Sequence, residues 1–147
     1  HARIREIGES TETRLMSRAT GNFEVTLNPL AMDNNPGIEG VGRMSIDKQY
    51  HGELEATGQG QMLTGGTTIK NSAGYVAIER VTGSLKGRKG SFILQHNGIM
   101  TRGTPSLVIS IVPDSGTDQL DGLRGTMSIR IEGGKHFYDL TYTLGTA

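Results

Sequence analysis

The sequence contains no cysteine and no tryptophan, and aromatic residues make up only 5% of its 147 residues. Without cysteine the chain can form no disulfide bond and offers no thiolate to a metal ion, which fits a reducing cytoplasm. Few aromatic side chains leave little surface on which nucleic-acid bases could stack. Fifteen basic residues balance fifteen acidic ones, so no net charge attracts a phosphate backbone or an anionic lipid surface. We therefore expect neither a nucleic-acid partner nor a membrane partner.

Several motifs are missing as well. No apolar run approaches the roughly 18 residues that a membrane helix needs, and no signal-like segment opens the sequence. No dinucleotide fingerprint leads from a strand into a helix, so we expect no cofactor. The sequence has no Gly-x-Ser-x-Gly elbow and no cysteine nucleophile, which argues against a conventional covalent hydrolase.

Glycine is abundant, at 22 residues, and the glycines separate short apolar stretches, as in a protein with many tight turns. From Gly21 onward apolar residues recur at every second position, which predicts about eight strands and no amphipathic helix. Residues 1–20 are polar and are interpreted as a loosely ordered N-terminal arm, with a short helix docked on the body as the alternative. The start at His1 suggests that part of the arm is an expression remnant. Residues 21–147 are interpreted as one β domain.

Eight short strands joined by turns predict an all-β fold, either a sandwich or an antiparallel barrel. Successive hairpins favour an eight-stranded up-and-down barrel, whose interior can hold one small ligand. Residues 106–112 (SLVISIV) are nearly all apolar, which predicts a strand covered on both faces.

Two inward-facing polar residues stand out in consecutive strands. Glu79 is the only charge on one face of residues 74–85 (GYVAIERVTGSL), and His96 shares a face with Phe92 and Leu94 in residues 90–98 (GSFILQHNG). A tight turn near Gly87 predicts that Glu79 lies opposite His96 or one residue away. The pair either satisfies its own hydrogen bonds in the core or forms a site for acid/base chemistry. Glu79 and His96 are therefore the candidate catalytic residues.

Other side chains on the inward faces are candidates for lining a ligand cavity. Tyr75 shares the face of Glu79, and Tyr142 shares the face of Tyr138 and Leu140 in the last predicted strand. Core packing is the alternative role for both tyrosines. The candidate ligand-binding residues are Tyr75, Phe92, Leu94, Met127, Ile129 and Tyr142.

Two clusters could suggest a metal ion. His51, Glu53 and Glu55 alternate along one strand face, but the opposite face is the apolar one, so this row is interpreted as solvated. Asp114, Asp118 and Asp121 lie in a glycine-containing loop whose spacing does not match the ligand spacing of an EF-hand calcium site. We expect no metal site.

The segments YHGELEATGQGQML, SAGYVAIERVTGSLKGRKGSFILQHNGIM, LVISIVPDSGTDQLDGLRGTMSIRI and GKHFYDLTYTL carry a resemblance. Between about Gly21 and Leu144 the sequence resembles a bacterial family of small proteins of unknown function. The resemblance implies an eight-stranded antiparallel barrel with an internal cavity, similar to allene oxide cyclase in architecture. It is also compatible with a homo-oligomer. The sequence has none of the signatures of the cyclase, so no catalytic residue is carried over.

Three functional hypotheses follow. The first is a cytoplasmic barrel that binds a small, mostly apolar molecule in its lumen, with Glu79 and His96 orienting one polar group. The second is an isomerase or cyclase acting on an unsaturated or epoxide-like substrate through the Glu79 and His96 pair. The third is a non-catalytic oligomeric interaction module with a filled core.

Overall fold

A computed structural model describes residues 16–33 and 37–145. Within these ranges the chain forms eight strands and one 3₁₀ turn, Asp118–Leu120. The strands are β1 (Ser17–Leu30), β2 (Val41–Gly52), β3 (Leu54–Gly66), β4 (Ala73–Leu85), β5 (Arg88–Thr101), β6 (Thr104–Ile111), β7 (Leu123–Glu132) and β8 (Lys135–Leu144).

The strands form a closed barrel in which each strand pairs with its neighbours in sequence order, and β8 returns to pair with β1. All pairs are antiparallel. The predicted all-β, eight-stranded up-and-down barrel is confirmed. Closure gives every strand two neighbours, although β6 and β7 share only two residue pairs. The likeness to allene oxide cyclase stays a prediction.

Strand β1 begins earlier than the periodicity predicts. It starts at Ser17, and residues 17–20 pair with Tyr142, Thr141, Leu140 and Asp139 of β8. Ala19 is fully buried, and a single alanine among polar residues gives too weak a signal for a strand. The remainder of the predicted arm, residues 1–15, lies outside the described residues.

The barrel interior is densely filled near one end. The connection from β6 to β7 carries Leu120 into the core, where it packs with Leu123 and other buried residues of the cluster. The turns β2–β3 and β4–β5 lie at the same end, because consecutive strands alternate in direction. The opposite end, where β1–β2, β3–β4, β5–β6 and β7–β8 connect, is more open.

The prediction that residues 106–112 are covered on both faces is wrong. Val108, on the outer face, is 57% exposed because the sheet is a single layer whose outer face is left to solvent, and Leu107, on the inner face, is 39% exposed because it lies at the open end of the barrel. Val76, Ile78 and Ile99 are likewise exposed. The predicted homo-oligomer stays a prediction.

Candidate lumen site

Glu79 is the most enclosed charged residue among those described, with no exposed surface. Its Oε1 atom accepts hydrogen bonds from Lys48 Nζ at 3.1 Å and from His96 Nε2 at 2.9 Å. Its Oε2 atom accepts the hydroxyl hydrogen of Tyr50 at 2.6 Å. Three donors from β2 and β5 therefore converge on one carboxylate of β4, which compensates the cost of burying its charge.

The register between β4 and β5 explains why Glu79 meets His96. Lys86 and Gly87 form a two-residue turn with positive φ angles, 47° and 82°. This turn pairs Glu79 with Leu94 and His96 with Ala77. The prediction that Glu79 lies opposite His96 or one residue away is therefore wrong. The offset is two residues, and an even offset keeps both side chains on the inner face.

Gly58 of β3 provides the space for the carboxylate. A Cβ atom at this position would collide with Glu79 Oε2 and would lie 3.1 Å from Tyr50 Cε2. The backbone of β3 therefore approaches the acidic group closely only because residue 58 has no side chain.

The surroundings of Glu79 determine its charge state. Burial alone would raise the pKa of the carboxyl group, but the hydrogen bond from His96, the positive charge of Lys48 and the hydrogen bond from Tyr50 outweigh it and hold the pKa below its ordinary value. Burial, followed by the Glu79 charge, raises the pKa of Tyr50 well above the ordinary value for tyrosine. The same two causes raise the pKa of Tyr75. At neutral pH the centre thus combines an ionised carboxylate with neutral phenols.

The ionised carboxylate fixes the orientation of hydrogen on His96. A carboxylate only accepts, so Nε2 of His96 must carry the hydrogen of the 2.9 Å bond. The Nδ1 atom has no hydrogen-bond partner among the described residues. Every fully buried side-chain nitrogen or oxygen atom of these residues does have a partner, so Nδ1 is not fully buried and keeps some exposed surface. His96 is one of the residues that line a cavity. In a neutral ring this nitrogen is a hydrogen-bond acceptor.

That cavity occupies the open half of the barrel and has a volume of about 190 Å³. Its rim includes Leu27, Leu107 and Ile131, which are partly exposed. Its walls are otherwise mainly apolar, and its polar side chains are Lys48, Tyr75, His96 and His136. No acidic side chain is among its lining residues. The site is thus a mainly apolar cavity that contains basic side chains and a tyrosine hydroxyl group.

The structure separates the six residues predicted to contact a ligand. Tyr75 and Ile129 line the cavity. Phe92, Leu94, Met127 and Tyr142 also face inward, but they are buried in the core cluster and do not line the cavity. Strand alternation identifies inward positions, whereas the depth at which side chains stop filling the barrel depends on all eight strands together.

Sequence reasoning missed Lys48, although the signal was present. Lys48 lies on the same strand face as Met44, Ile46 and Tyr50, where it is the one charge among apolar residues. The reasoning that singles out Glu79 applies to Lys48 equally. The Nζ atom of Lys48 also lies 4.9 Å from the centre of the Phe23 ring and 5.6 Å from that of Tyr50, a cation–π arrangement that holds the ammonium against the wall.

The row of His51, Glu53 and Glu55 faces the outside and engages in local contacts. His51 Nε2 lies 2.9 Å from Glu24 Oε1, and Glu53 and Glu55 accept backbone hydrogen bonds from Thr20 and Gly52. Within residues 16–33 and 37–145, no group of three or more His, Cys, Asp or Glu side chains could hold a metal ion. In the same ranges no helix is long and apolar enough to cross a membrane.

Comparisons with known proteins identify the family of this barrel. A family model described as a protein of unknown function (DUF3224) matches residues 19–142. The chain belongs to the DUF3224 family. A crystal structure of a DUF3224 protein of unknown function from Shewanella oneidensis MR-1 is 51% identical in sequence, with a TM-score of 0.84. The match covers 90% of this chain and 99% of the Shewanella chain. No curated protein matches the chain, so the DUF3224 relationship provides the fold and the family but no activity.

Proposed function

We propose that this DUF3224 protein binds one small, mostly apolar molecule in the open half of its barrel. The observation that carries the proposal is the cavity of about 190 Å³, with apolar walls and few polar groups, which is the usual composition of a ligand pocket. Apolar cavities of about 150 Å³ can hold benzene. The cavity volume therefore suits a single ring or a short chain, with room to extend through the rim.

In the other half of the barrel, side chains fill the core. There Leu54, Leu85, Leu94, Leu120 and Leu123 are almost completely buried, and this packing supports the walls without leaving space for a ligand. A rigid floor of this kind favours binding, because the protein loses little conformational freedom when the ligand enters.

Titration with benzyl alcohol, followed by two-dimensional NMR, tests the proposal. Binding should shift resonances of Tyr75, His96 and Ile129. Val25→Phe fills the cavity from β1 and should weaken binding at least about tenfold, a difference of about 1.4 kcal/mol. Val76→Phe adds the same side chain on the outer face, where Val76 is 51% exposed, and should bind as the wild type does. Unchanged binding by Val25→Phe would contradict lumen binding.

A second candidate, an isomerase, is favoured by the pairing of His96 with Glu79. The carboxylate orients the ring through Nε2, as carboxylates orient catalytic histidines in general, and leaves Nδ1 without a hydrogen-bond partner among the described residues. In this role His96 accepts a proton from carbon, and Glu79 stabilises the resulting imidazolium. Glu79 itself has no exposed surface and has both oxygens bonded, so it acts through His96 rather than on a substrate.

Conversion of 3-cyclohexen-1-one to 2-cyclohexen-1-one tests this candidate. His96 would remove a proton from C2, between the carbonyl group and the double bond, and return it to C4, the far carbon of the original double bond, so atoms balance without another reactant. A rate above that of buffer that disappears in His96→Gln supports isomerase chemistry. A wild-type rate equal to that of His96→Gln removes this candidate and leaves the binding proposal intact.

The cytoplasm is the compartment proposed for this activity. The absence of cysteine is compatible with reducing conditions and leaves no thiol to oxidise. Fractionation of host cells with an antibody against the protein tests the location. Recovery in a fraction other than the cytoplasmic one would contradict it.

A further inference from the structure

We propose that the ligand carries a single carboxyl group, which Lys48 and His96 bind together. This inference rests on the proposed function, because it names the chemical class of the molecule in the same cavity. It follows from the hydrogen-bonding capacity that the two side chains retain after they have bonded Glu79.

The ammonium group of Lys48 has more N–H donors than the hydrogen bond to Glu79 uses. An ammonium group carries three hydrogens, and Nζ has one side-chain acceptor among the described residues, Glu79 Oε1 at 3.1 Å. The rest of its surroundings include the faces of Phe23 and Tyr50, which attract the positive charge but accept no conventional hydrogen bond. Because Lys48 lines the cavity, a ligand oxygen can occupy this donor position.

His96 offers the complementary position. Its Nε2 hydrogen is committed to Glu79 Oε1, so the neutral ring presents an acceptor at Nδ1. Lys48 and His96 are neighbours because they bond the same oxygen of Glu79. The cavity floor therefore presents a cationic donor beside an imidazole acceptor.

A carboxyl group matches both positions. One oxygen accepts a hydrogen bond from Lys48, and the other shares a proton with Nδ1 of His96, either as its donor or as the partner of the imidazolium. The lining residues include no carboxylate, and the charge of the nearby Glu79 is offset by Lys48 and by the donors that bond both its oxygens. An alcohol can satisfy only part of this arrangement, and a charge-assisted hydrogen bond is stronger than a neutral one.

Paired probes of nearly equal size test the inference, namely benzoate against benzyl alcohol and hexanoate against 1-hexanol. Each is titrated into the full chain by calorimetry and by two-dimensional NMR. The wild type should bind each carboxylate at least about tenfold more tightly than its alcohol, as one charge-assisted bond implies. The largest NMR chemical-shift changes should be those of Tyr75, His96 and Ile129.

The variant that tests the role of Lys48 combines Lys48→Met with Glu79→Gln. Removing both charges avoids an unpaired buried carboxylate. This double variant should still bind the alcohols, with shifts at Ile129, which lines the same cavity, and should lose the tenfold preference for carboxylates. Lys89→Met removes an exposed lysine of β5 and should keep the preference.

The outcomes separate the two proposals. Equal binding of benzoate and benzyl alcohol by the wild type overturns the carboxyl inference but leaves lumen binding in place. Retention of the preference in the double variant also overturns the inference, because Lys48 would then not be the partner. Failure of all four probes to shift any lumen resonance overturns the proposed function itself.

Discussion

The Nε2 atom of His96 lies 2.9 Å from Oε1 of Glu79, although the two residues are not direct partners across the hairpin. Glu79 is paired with Leu94, and His96 is paired with Ala77, so each lies two residues from the direct partner of the other. The side chains meet diagonally inside the barrel, where diagonal neighbours are within reach of long side chains. Lys48 and Tyr50 approach the same carboxylate from β2, which is not adjacent to β4 in the sheet.

Gly58→Ala should destabilise the protein because the new methyl group would collide with Glu79 Oε2. Overpacking of a filled interior typically costs about 1–3 kcal/mol, and the carboxylate cannot move without losing its donors. Gly65→Ala, in the same strand, is the matched control, since its Cβ would lie 3.8 Å from the nearest atom. Urea unfolding of the two variants measures the difference, and equal stability would refute the packing role of Gly58.

Glu79→Gln should reduce the free energy of unfolding by about 3–5 kcal/mol, because it leaves the buried Lys48 ammonium without its counter-charge. The double variant with Lys48→Met should lose less than this, since neither charge then remains unpaired. Circular dichroism establishes that each variant is folded, and chemical unfolding gives the energies. A double variant less stable than Glu79→Gln alone would contradict the explanation that an unpaired Lys48 charge causes the loss.

The stability of the wild type should fall as acid protonates Glu79. The folded-state pKa of this group lies below its ordinary value, 4.5, so its contribution is fully present above that value and is lost as the pH falls through the lower folded-state pKa. Glu79→Gln should lack this part of the pH dependence in unfolding measured from pH 7 down to pH 2.

Asp139 provides the control for this acid titration. The hydrogen bond from Arg18 lowers the pKa of Asp139 as well, but the pair lies at the surface, with the Arg18 side chain 70% exposed. Salt screens exposed pairs more than buried ones. In high salt, Asp139→Asn should therefore unfold with the acid profile of the wild type, whereas the effect of Glu79→Gln should persist. Equal sensitivity of both variants to salt would contradict the enclosed position of Glu79.

Tyr138→Phe should destabilise the junction between β2 and β3. The Tyr138 hydroxyl donates to the carbonyl of His51 at 2.9 Å and accepts the amide hydrogen of Leu54 at 2.9 Å. Its loss leaves a buried amide unsatisfied, which costs about 1–3 kcal/mol. Tyr142→Phe is the control, because the Tyr142 hydroxyl has no hydrogen bond to the described residues. Thermal unfolding should separate the variants, and equal midpoints would argue against this role.

Much of the fold could be predicted because strand alternation is a local property. The apolar positions of β4 and β5 repeat at every second residue, and the turn at Lys86 and Gly87 follows directly between them. The beginning of β1 could not be predicted in the same way, since residues 17–20 become a strand by pairing with β8. The outer face of β6 was misjudged because nothing in an apolar run shows whether a second layer covers it.

The sequence by itself determined which side of each strand faces the lumen, and it placed Glu79 and His96 there as polar residues among apolar ones; Lys48 fits the same pattern but was overlooked. Only the tertiary structure decided that His96 and Lys48 meet at the Glu79 carboxylate, that Gly58 leaves room for it, and that the lumen is filled at one end and open at the other. The physical reason is that barrel closure and strand stagger set contacts between β2, β4 and β5, and these depend on the register of every strand in the ring.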